Sequence, residues 1–323
     1  MVHKNSLVSI LIPTYNRAKM VGKSIESALS QTITDIEIIV CDNCSTDNTV
    51  KVVHSYTKKD SRLRLVVNET NIGPTRNWRR CVENARGKYA KLLFSDDWID
   101  SEYIEKTLPI LEKNKDIGFI FTKTSVHDLL KNINCHNSYK IGPTGVYPLS
   151  FYINYYLLGK GPVMPVSPSC ALFRTDDLRN QLVVEIPNNL GLDLSRNGAG
   201  PDLLMFLNMA FRYDKFGFID ETLSHFGLHS GCFTIQEDLW EYYQLAICDF
   251  VKKYHLPSQK KKRFYSKLAW NLYKRGKFAD FEKFVSKKLT IRDIDINLLM
   301  CGTFKTIKGV IKSFKIKKID ANL

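Results

Sequence analysis

Short apolar runs alternate with amphipathic segments along the first hundred residues of the chain. Four runs have the length of buried strands: residues 7–13, 36–41, 63–67 and 89–94. The segments between them have apolar residues near helical spacing and predict three helices: residues 17–30, 47–58 and 74–85. Asp47 and Pro74 suit helix starts. This order predicts an α/β fold, with a mostly parallel sheet flanked by helices on both faces.

Polar residues follow three of these predicted strands. Thr14, Tyr15, Asn16 and Arg17 come after the first, Asp42 and Asn43 after the second, and Asp96 and Asp97 after the fourth. Ligands of parallel sheets bind at the carboxyl ends of the strands. The sequence therefore predicts a ligand site at this edge of the sheet.

The pattern changes after residue 116. Residues 117–122 and 170–174 predict further strands, residues 142–168 predict long loops around one helix, and residues 202–214 predict a helix. Helical spacing dominates beyond Glu237. We therefore expect a first domain over residues 1–235 and a C-terminal helical region over residues 236–323.

Charge is distributed unevenly between these two parts. The 323 residues have a net charge of +14, and their 44% hydrophobic and 25% charged residues exclude collagen, coiled-coil and wholly disordered chains. From residue 251 to the end there are 20 Lys and Arg against 5 Asp and Glu, so the preceding body is nearly neutral. The basic region suits a solvated helix face, and the alternatives, which together have about the same weight, are nucleic acid and an anionic lipid surface.

Cysteine usage and hydropathy bear on the compartment. Eight cysteines without a secretory signal indicate reduced thiols, and no apolar run reaches the roughly 18 residues of a spanning helix. These features predict a cytoplasmic protein. Cys41 and Cys44 form a CxxC without a second ligand pair, so we interpret that spacing as coincidental.

Asp96 and Asp97 are the strongest chemical signal in the chain. Two adjacent carboxylates repel each other unless a cation offsets their charge, and Mg²⁺ or Mn²⁺ binds carboxylates together with phosphate oxygens. The pair therefore predicts a divalent metal ion and a phosphorylated ligand. The alternative is that one of them caps a helix starting near Ser101.

Three further residues admit structural alternatives of the same kind. Asp42 suits a turn or cap, and also suits a carboxylate that accepts the imide N–H of uracil or thymine. Asp202 follows a Gly-rich segment, where an N-cap is the simpler interpretation. His229 is a lone histidine, more often structural than a ligand. Arg76, one step inside the helix opened by Pro74, suits a phosphate near a helix N-terminus.

Together these residues lie in motifs that resemble one family. The motifs are PTYNR (13–17), CDNCSTDNT (41–49), NIGPTRNW (71–78), ARGKYAKLLFSDDW (85–98), CALFR (170–174), GPD (200–202) and IDETLSHFGLHS (219–230). Their order resembles that of inverting family 2 glycosyltransferases of the GT-A fold. The resemblance covers about residues 7–230 and leaves the C-terminal part outside.

The resemblance implies roles for the residues that would hold a nucleotide-diphospho-sugar. Pro13, Thr14, Tyr15 and Arg17 resemble the loop around the base and ribose, Asp42 resembles the uracil-reading Asp, and Arg76 resembles a basic residue near the nucleotide. The donor implied is a UDP-sugar.

The resemblance also implies the metal ligands and the catalytic base. Asp96 and Asp97 resemble the DxD-type metal site, with Asp97 as the first choice for direct ligation, and His229 resembles the residue that reaches the metal or the diphosphate. Asp202 resembles the base that deprotonates the acceptor hydroxyl. Two departures from the family pattern are Phe94, where many members have a third Asp, and Pro201, where the family usually has Glu.

Two other functions are kept as alternatives. A non-catalytic nucleotide-sugar or carbohydrate-binding protein has the same fold, and hydrolysis of the donor discriminates it from an enzyme. A nucleic-acid-binding enzyme would use the basic region, but that region contains no aromatic-basic recognition motif, so no nucleic-acid partner is expected.

The family often builds lipid-linked or bacterial surface polysaccharides, so the acceptor implied is a glycan or a lipid-linked saccharide. The apolar positions Phe304, Ile307, Val310, Ile311 and Phe314 alternate with lysines at helical spacing. An amphipathic helix of this kind suits the anionic inner face of the plasma membrane, or else the protein's own body or a second subunit. A peripheral membrane location and a homo-oligomer thus stay open.

Overall fold

A computed structural model of the chain describes residues 8–129, 131 and 133–285, with the backbone alone at residues 134–138. The strands of these residues are β1 (Val8–Thr14), β2 (Ile36–Asp42), β3 (Leu63–Val67), β4 (Tyr89–Leu92), β5 (Trp98–Ile99), β6 (Ile117–Asp128), β7 (Ile133–Ser138), β8 (Gly145–Pro148), β9 (Ala171–Arg174) and β10 (Lys215–Leu228). Their helices are α1 (Val21–Leu29), α2 (Thr49–Thr57), α3 (Pro74–Asn84), α4 (Tyr103–Lys113), α5 (Ser150–Ile153), α6 (Thr175–Gln181), α7 (Pro201–Arg212), α8 (Phe233–Gln236), α9 (Trp240–Lys253), α10 (Ser258–Lys274) and α11 (Phe281–Val285). A π-helical turn, Asn154–Leu158, continues α5, and Pro168–Cys170 and Phe278–Asp280 are 3₁₀ turns.

The strands form one sheet in the order β3-β2-β1-β4-β9-β6-β10-β5, with β7 on β6 and β8 on β10. Along this order β1, β2, β3, β4, β6 and β10 run in one direction, and β9 and β5 run against them. The predicted α/β fold with a mostly parallel sheet is therefore confirmed. The carboxyl ends of β1, β2 and β4 lie at the same edge, as expected.

Residue alternation along the strands builds a core on each face of the sheet. In β1, Ile10 and Ile12 pack with α1, α2 and α4, whereas Leu11 packs on the opposite face with α3, α6 and α7. Both faces are apolar because helices cover both, which explains the continuous apolar runs in the sequence.

The C-terminal helices belong to the second of these cores. Leu245 and Phe250 of α9 and Phe264 and Leu268 of α10 are buried in the same cluster as Phe206 of α7. The described part of the C-terminal region therefore packs directly on the sheet-bearing body. The predicted division at residue 235 stays a prediction.

Several elements differ from the pattern-based prediction. The sequence did not predict β5, β7, β8 and β10, and β6 extends six residues beyond the predicted strand. β10 was missed because its polar residues do not alternate: its register with β6 shifts between Ile219 and Thr222 and again before Ser224. Such bulges break the two-residue period on which strand prediction depends.

No helix of the described segments is both long and apolar enough to span a bilayer. The amphipathic positions 304–314 lie outside the described residues.

Candidate active site

A cleft of about 940 Å³ opens at the carboxyl edge of the sheet. Its walls come from the loops after β1, β2 and β4, the first turns of α3 and α7, the end of β10, and the beginning of α9. The predicted site residues on its surface are Pro13, Thr14, Tyr15, Arg17, Arg76, Asp96, Asp97 and Asp202. The topology thus brings Pro13 and Asp202, which are 189 positions apart, to one cavity.

The loops after β1 and β2 are held together by side-chain hydrogen bonds to backbone amides. Asn16 adopts a left-handed conformation with φ of 51°, and its Oδ1 accepts from the Thr46 amide at 2.8 Å. The Asn16 amide donates to Ser45 Oγ at 2.8 Å, and the Arg17 amide donates to Thr49 Oγ1 at 2.8 Å. Two short polar segments therefore form one rigid wall of the cleft.

Thr14, Tyr15 and Arg17 present their side chains from this wall. The Thr14 hydroxyl is buried and finds no hydrogen-bond partner among the described residues. Buried hydroxyls in native proteins are nearly always paired, so this one is suited to a ligand group. Tyr15 is 40% exposed and offers a ring face at the cleft mouth.

Asp42 does not reach the cleft surface in this structure. Its side chain is fully buried, and its two carboxylate oxygens accept from the Ser45 amide at 2.8 Å and the Ser45 hydroxyl at 2.5 Å. This is the turn interpretation of Asp42. The next residue, Asn43, lies on the cleft wall instead, with its amide group bonded to Asn71 and Asn68.

Arg76 joins the start of α3 to the segment before α7. Its guanidinium donates to Ser195 Oγ at 3.1 Å and also pairs with Glu185. Ser195 in turn donates to Asp193 Oδ1 at 2.7 Å, and this hydrogen bond lowers the pKa of Asp193. A carboxylate that is held in its ionised form this way is a weak base.

Asp96 and His229 meet although 133 residues separate them. Asp96 Oδ2 lies 3.0 Å from His229 Nε2. His229 Nδ1 accepts from the Gly231 amide at 3.0 Å, so the neutral ring carries its proton on Nε2 and donates it to Asp96. One potential ligand atom from each of Asp96, His229 and Cys232 lies within 4.8 Å of the other two.

This group fits a hard divalent ion through two of its three members. Ligands on neighbouring positions of an octahedral ion, each about 2.1 Å from it, lie about 3 Å apart, which matches the Asp96–His229 separation. Burial raises the pKa of the Cys232 thiol to about 11, and the thiol donates to the Gly227 carbonyl at 3.5 Å. A protonated thiol is a poor ligand for Mg²⁺ or Mn²⁺, so the fitting pair is Asp96 and His229.

Asp97 has a different environment from its neighbour. Its side chain is only 6% exposed, and Oδ1 accepts from the Gly227 amide at 3.1 Å, which ties β10 to the end of β4. Burial, together with the adjacent Asp96, raises the pKa of Asp97 well above its ordinary value. Neither acid caps α4, which begins at Tyr103 with Glu102 at its N-cap position.

Asp202 lies in the first turn of α7. The N-cap residue of this helix is Gly200, so Asp202 is not the N-cap that the simpler interpretation proposed. Its Oδ1 accepts from the amides of Gly200 at 2.9 Å and Leu203 at 2.6 Å. Burial raises the pKa of Asp202 to about 7 in spite of these hydrogen bonds. A carboxylate with a pKa near neutrality is well matched to proton abstraction at physiological pH.

Sequence reasoning missed two residues of this site, Cys232 and Tyr243, and named Asn43 only as a polar residue after the second strand. Tyr243 of α9 places its hydroxyl 3.3 Å from Asp202 Oδ2. It lies 41 residues beyond Asp202, in a helix whose apolar spacing explains the tyrosine as a core residue. For Asn43 the adjacent Asp42 gave a signal, but the choice between the two depends on the turn.

Comparisons with known proteins agree with this architecture. The sequence profile of glycosyl transferase family 2 matches residues 9–182, more than half of the chain. Chondroitin synthase of Pasteurella multocida is 34% identical over 121 residues, which are 38% of this chain and 12% of that protein. The putative teichuronic acid biosynthesis glycosyltransferase TuaG of Bacillus subtilis is 32% identical over 126 residues, 39% of this chain and 50% of the relative.

A solved structure with a similar fold is that of S. aureus TarS residues 1–349 in complex with UDP-GlcNAc. The TM-score is 0.70 at 17% identity, over 97% of this chain and 88% of that one. This likeness confirms the predicted GT-A fold. The chain spans half or less of the length of the two relatives named above. From the matched profile and the fold, we conclude that the chain belongs to glycosyl transferase family 2.

Proposed function

We propose that this protein is an inverting glycosyltransferase that moves a sugar from a UDP-sugar to a hydroxyl of a glycan or lipid-linked acceptor. One observation carries the proposal: a buried carboxylate with a pKa of about 7, Asp202, lines the same cleft as Asp96, whose contact with His229 fits a divalent ion. A base and an anion-neutralising centre in one cavity are what glycosyl transfer from a diphosphate requires.

The nucleotide half of the donor is assigned to the wall formed by the loops after β1 and β2. Thr14 supplies the unpaired hydroxyl, Tyr15 a ring face, and Arg17 a cation beside them. Uridine is favoured because the TarS structure, which shares this fold over most of the chain, contains UDP-GlcNAc. The assigned base reader is Asp42, which requires the turn at Ser45 to open, because the Asn43 side chain is already bonded to Asn71, Asn68 and the Ile72 amide.

The diphosphate half is assigned to Asp96 and His229 with a bound Mn²⁺ or Mg²⁺. When bound, such an ion neutralises the charge that develops on the leaving diphosphate. His229 must give up its Nε2 proton to become a ligand, and the Gly231 amide that now occupies Nδ1 must then move. Arg76 of α3 lines the same cleft and is assigned as a further cation for the nucleotide.

Asp202 is assigned as the general base. Its Oδ1 is fixed by two backbone amides, which leaves Oδ2 to take the proton of the acceptor hydroxyl. The acceptor oxygen then attacks the anomeric carbon as the bond to the diphosphate oxygen breaks on the opposite side. A single displacement of this kind inverts the anomeric configuration.

The biological setting proposed is the synthesis of a bacterial surface polysaccharide or related glycan. Chondroitin synthase and TuaG, the relatives named above, act in polysaccharide synthesis according to their names. The basic region from residue 251 onward is proposed to bring the cleft to an anionic membrane surface that carries the acceptor.

Ligand-dependent unfolding of the full chain tests the donor and metal together. Melting temperatures are measured with UDP, GDP and dTDP, each with Mn²⁺ or with a chelator. We expect UDP with Mn²⁺ to raise the melting temperature most, because this combination fills both the nucleotide wall and the proposed metal site. A ligand at 100 times its Kd stabilises a protein by about 2.7 kcal/mol. Equal melting temperatures with Mn²⁺ and with chelator contradict the metal assignment.

Release of UDP from UDP-sugars in the presence of Mn²⁺ then separates an enzyme from a binding protein. Slow hydrolysis of one UDP-sugar without acceptor is expected, since water replaces the hydroxyl. UDP binding without release from any UDP-sugar tested favours the non-catalytic alternative.

A further inference from the structure

The segment that leads into α9 contacts the loop that precedes α7, the helix whose first turn carries Asp202. Glu237 accepts from the Arg196 guanidinium at 3.1 Å and from the Asn197 side-chain amide at 3.1 Å. Both donors precede α7 by a few residues. An ion pair and a hydrogen bond therefore tie this loop to the C-terminal region.

Close packing fixes α9 against the same loop. Gly200 has φ of 98°, and a Cβ placed on it would lie 2.7 Å from Leu194 Cδ2 and 3.1 Å from the Tyr242 carbonyl oxygen. The backbone of α9 thus approaches the N-cap of α7 as closely as a glycine permits. Tyr243, the next residue, then directs its hydroxyl at Asp202.

The hydroxyl of Tyr243 meets the carboxylate oxygen that the backbone leaves free. Oδ1 of Asp202 is occupied by the Gly200 and Leu203 amides, whereas Oδ2 has Tyr243 Oη at 3.3 Å. Burial and the nearby Asp202 raise the pKa of Tyr243 well above its ordinary value, so the hydroxyl keeps its proton and donates. Its ring also lines the cleft.

We propose that Tyr243 is the positioning residue of the catalytic base: it holds Oδ2 of Asp202 in the ionised, acceptor-facing state and so makes the C-terminal region a part of the active site. The inference rests on the proposed role of Asp202. It goes beyond that role because it adds a residue of α9, which follows the last of the sequence motifs at residue 230.

The proposed step transfers one proton and displaces one leaving group. The acceptor O–H bond breaks and its proton goes to Asp202 Oδ2, the acceptor oxygen bonds to the anomeric carbon, and the electron pair of the broken C–O bond leaves with UDP. An oxygen has room for two hydrogen bonds, so Tyr243 occupies one direction of Oδ2 and leaves the other for the acceptor hydroxyl. Tyr243 itself neither gains nor loses a proton.

The hydrogen bond from Tyr243 is the side-chain contact through which the pKa of Asp202 can be changed. Tyr156, from the π-helical turn, is close enough for the Asp202 charge to contribute to its raised pKa, and it too stays neutral. Among the side chains that shift the pKa of Asp202, Tyr243 is the one that lowers it by hydrogen bonding. Removal of the Tyr243 hydroxyl therefore raises the pKa of Asp202 further.

The matched pair of variants is Tyr243→Phe and Tyr254→Phe. Tyr254, at the end of α9, donates to Asn208 Oδ1 at 3.2 Å, so the control also loses a tyrosine hydroxyl between α9 and α7. The pKa of Asp202 is read without substrate from the pH dependence of stability, by comparing each protein with its Asp202→Asn derivative between pH 5 and 9. Steady-state UDP release with Mn²⁺ and a UDP-sugar gives kcat, the donor KM and the acid limb of the pH profile.

For Tyr243→Phe we expect kcat to fall roughly two- to tenfold, as for one lost hydrogen bond, with the donor KM unchanged. The pKa read from stability and the acid limb should both move to higher pH. Tyr254→Phe should lower the melting temperature and leave the pKa and the limb in place. An unmoved limb in Tyr243→Phe, or an equal movement in both variants, overturns the proposal.

Two safeguards keep the outcomes distinct. If Asp202→Asn retains transfer, the proposed base is wrong, whereas an inactive Asp202→Asn with an unmoved limb in Tyr243→Phe refutes only the role of Tyr243. If Tyr243→Phe does not fold, Glu237→Gln is used instead. This change weakens the contact between the start of α9 and the loop before α7, because it removes the charge that Arg196 and Asn197 bind. A lower kcat with unchanged donor KM supports the proposal, and an unchanged kcat contradicts it.

Discussion

The burial of Asp202 couples the stability of the fold to the chemistry proposed for it. In an unfolded chain an aspartate has a pKa of about 3.9, whereas in the folded protein the pKa of Asp202 is about 7. The folded state binds the proton more tightly, so the stabilising contribution is complete below about pH 3.9 and is lost as pH rises through 7. At the pH where Asp202 acts as a base, its charge therefore destabilises the protein.

Asp202→Asn is accordingly expected to lose activity and gain stability. Transfer should fall by about 10² to 10⁴, because an amide cannot take the hydroxyl proton, while UDP binding is retained. Its melting temperature should exceed that of the wild type at pH 8, with a smaller difference at pH 5. Thermal unfolding at both pH values and UDP release measure the two effects.

Asp193→Asn serves as the control of opposite sign. The pKa of Asp193 is lowered by Ser195, so its charge stabilises the fold above its unfolded pKa, and the variant should be less stable than wild type at pH 8. A stabilised Asp193→Asn or a destabilised Asp202→Asn at that pH contradicts the assignment of the two environments.

The two adjacent acids after β4 are expected to differ in their effect on metal binding. Asp96→Asn removes the carboxylate beside His229 and should abolish the Mn²⁺ dependence of UDP binding. Asp97→Asn mimics the neutral acid that burial favours and still accepts from the Gly227 amide, so it should retain that dependence. UDP titrations with and without chelator compare them, and the reverse result restores Asp97 as the ligand.

The sequence identified both acids but could not rank them. The turn in which the Asp97 amide donates to the Phe94 carbonyl at 3.0 Å leaves the Asp97 side chain bonded to the Gly227 amide and the Asp96 side chain beside His229. Two distant segments hold this turn: Ser169 Oγ accepts from the Phe94 amide at 3.3 Å, and the Gly227 amide of β10 donates to Asp97. Adjacent identical residues therefore acquire different chemistry only after the tertiary contacts form.

Among the elements, the loop before α7 depends most on a contact with a distant helix. Gly198 has φ of 79°, and a Cβ on it would lie 2.2 Å from the Trp78 ring of α3. Gly198→Ala must displace either Trp78 or the loop. Because the loop leads directly into the first turn of α7, its displacement also moves Asp202. We expect a melting temperature lowered by more than the 2–4 °C typical of about 1 kcal/mol, together with reduced UDP release.

Gly191→Ala is the matched control for this prediction. Gly191 has φ of 70° in the same connection, but no heavy atom lies within 4 Å of a Cβ placed on it. The control therefore bears the backbone strain without the clash, about 1 kcal/mol, and should keep its activity. Equal losses of stability in both variants show that the contact with Trp78 is unimportant.

Whole-molecule charge asymmetry motivates the remaining prediction. Lys261 and Lys262 of α10 belong to the described part of the basic region, and each lysine near an anionic bilayer contributes about 1 kcal/mol. The full chain should float with anionic vesicles and not with neutral ones, and high salt should release it. The double change Lys261→Glu and Lys262→Glu should weaken binding at least about tenfold.

Two further proteins complete the flotation experiment. Lys51→Glu with Lys58→Glu makes the same charge change on two exposed lysines, one in α2 and one directly after it, and should bind as wild type does. Removal of residues 302–323 tests the predicted amphipathic segment. If all four proteins float equally, or none floats at low salt, the basic region has another role, such as contact with a second subunit.

The sequence by itself determined the first four strands and three helices, because strands buried on both faces leave continuous apolar runs that need no long-range information. It also determined the chemical identities of the residues at the strand ends. Only the tertiary structure decided which side chains meet. Asp96 contacts His229 across 133 residues, and Asp202 contacts Tyr243 across 41 residues. Burial, turn geometry and bulged registers arise from contacts between distant segments, and the local pattern of one segment does not encode them.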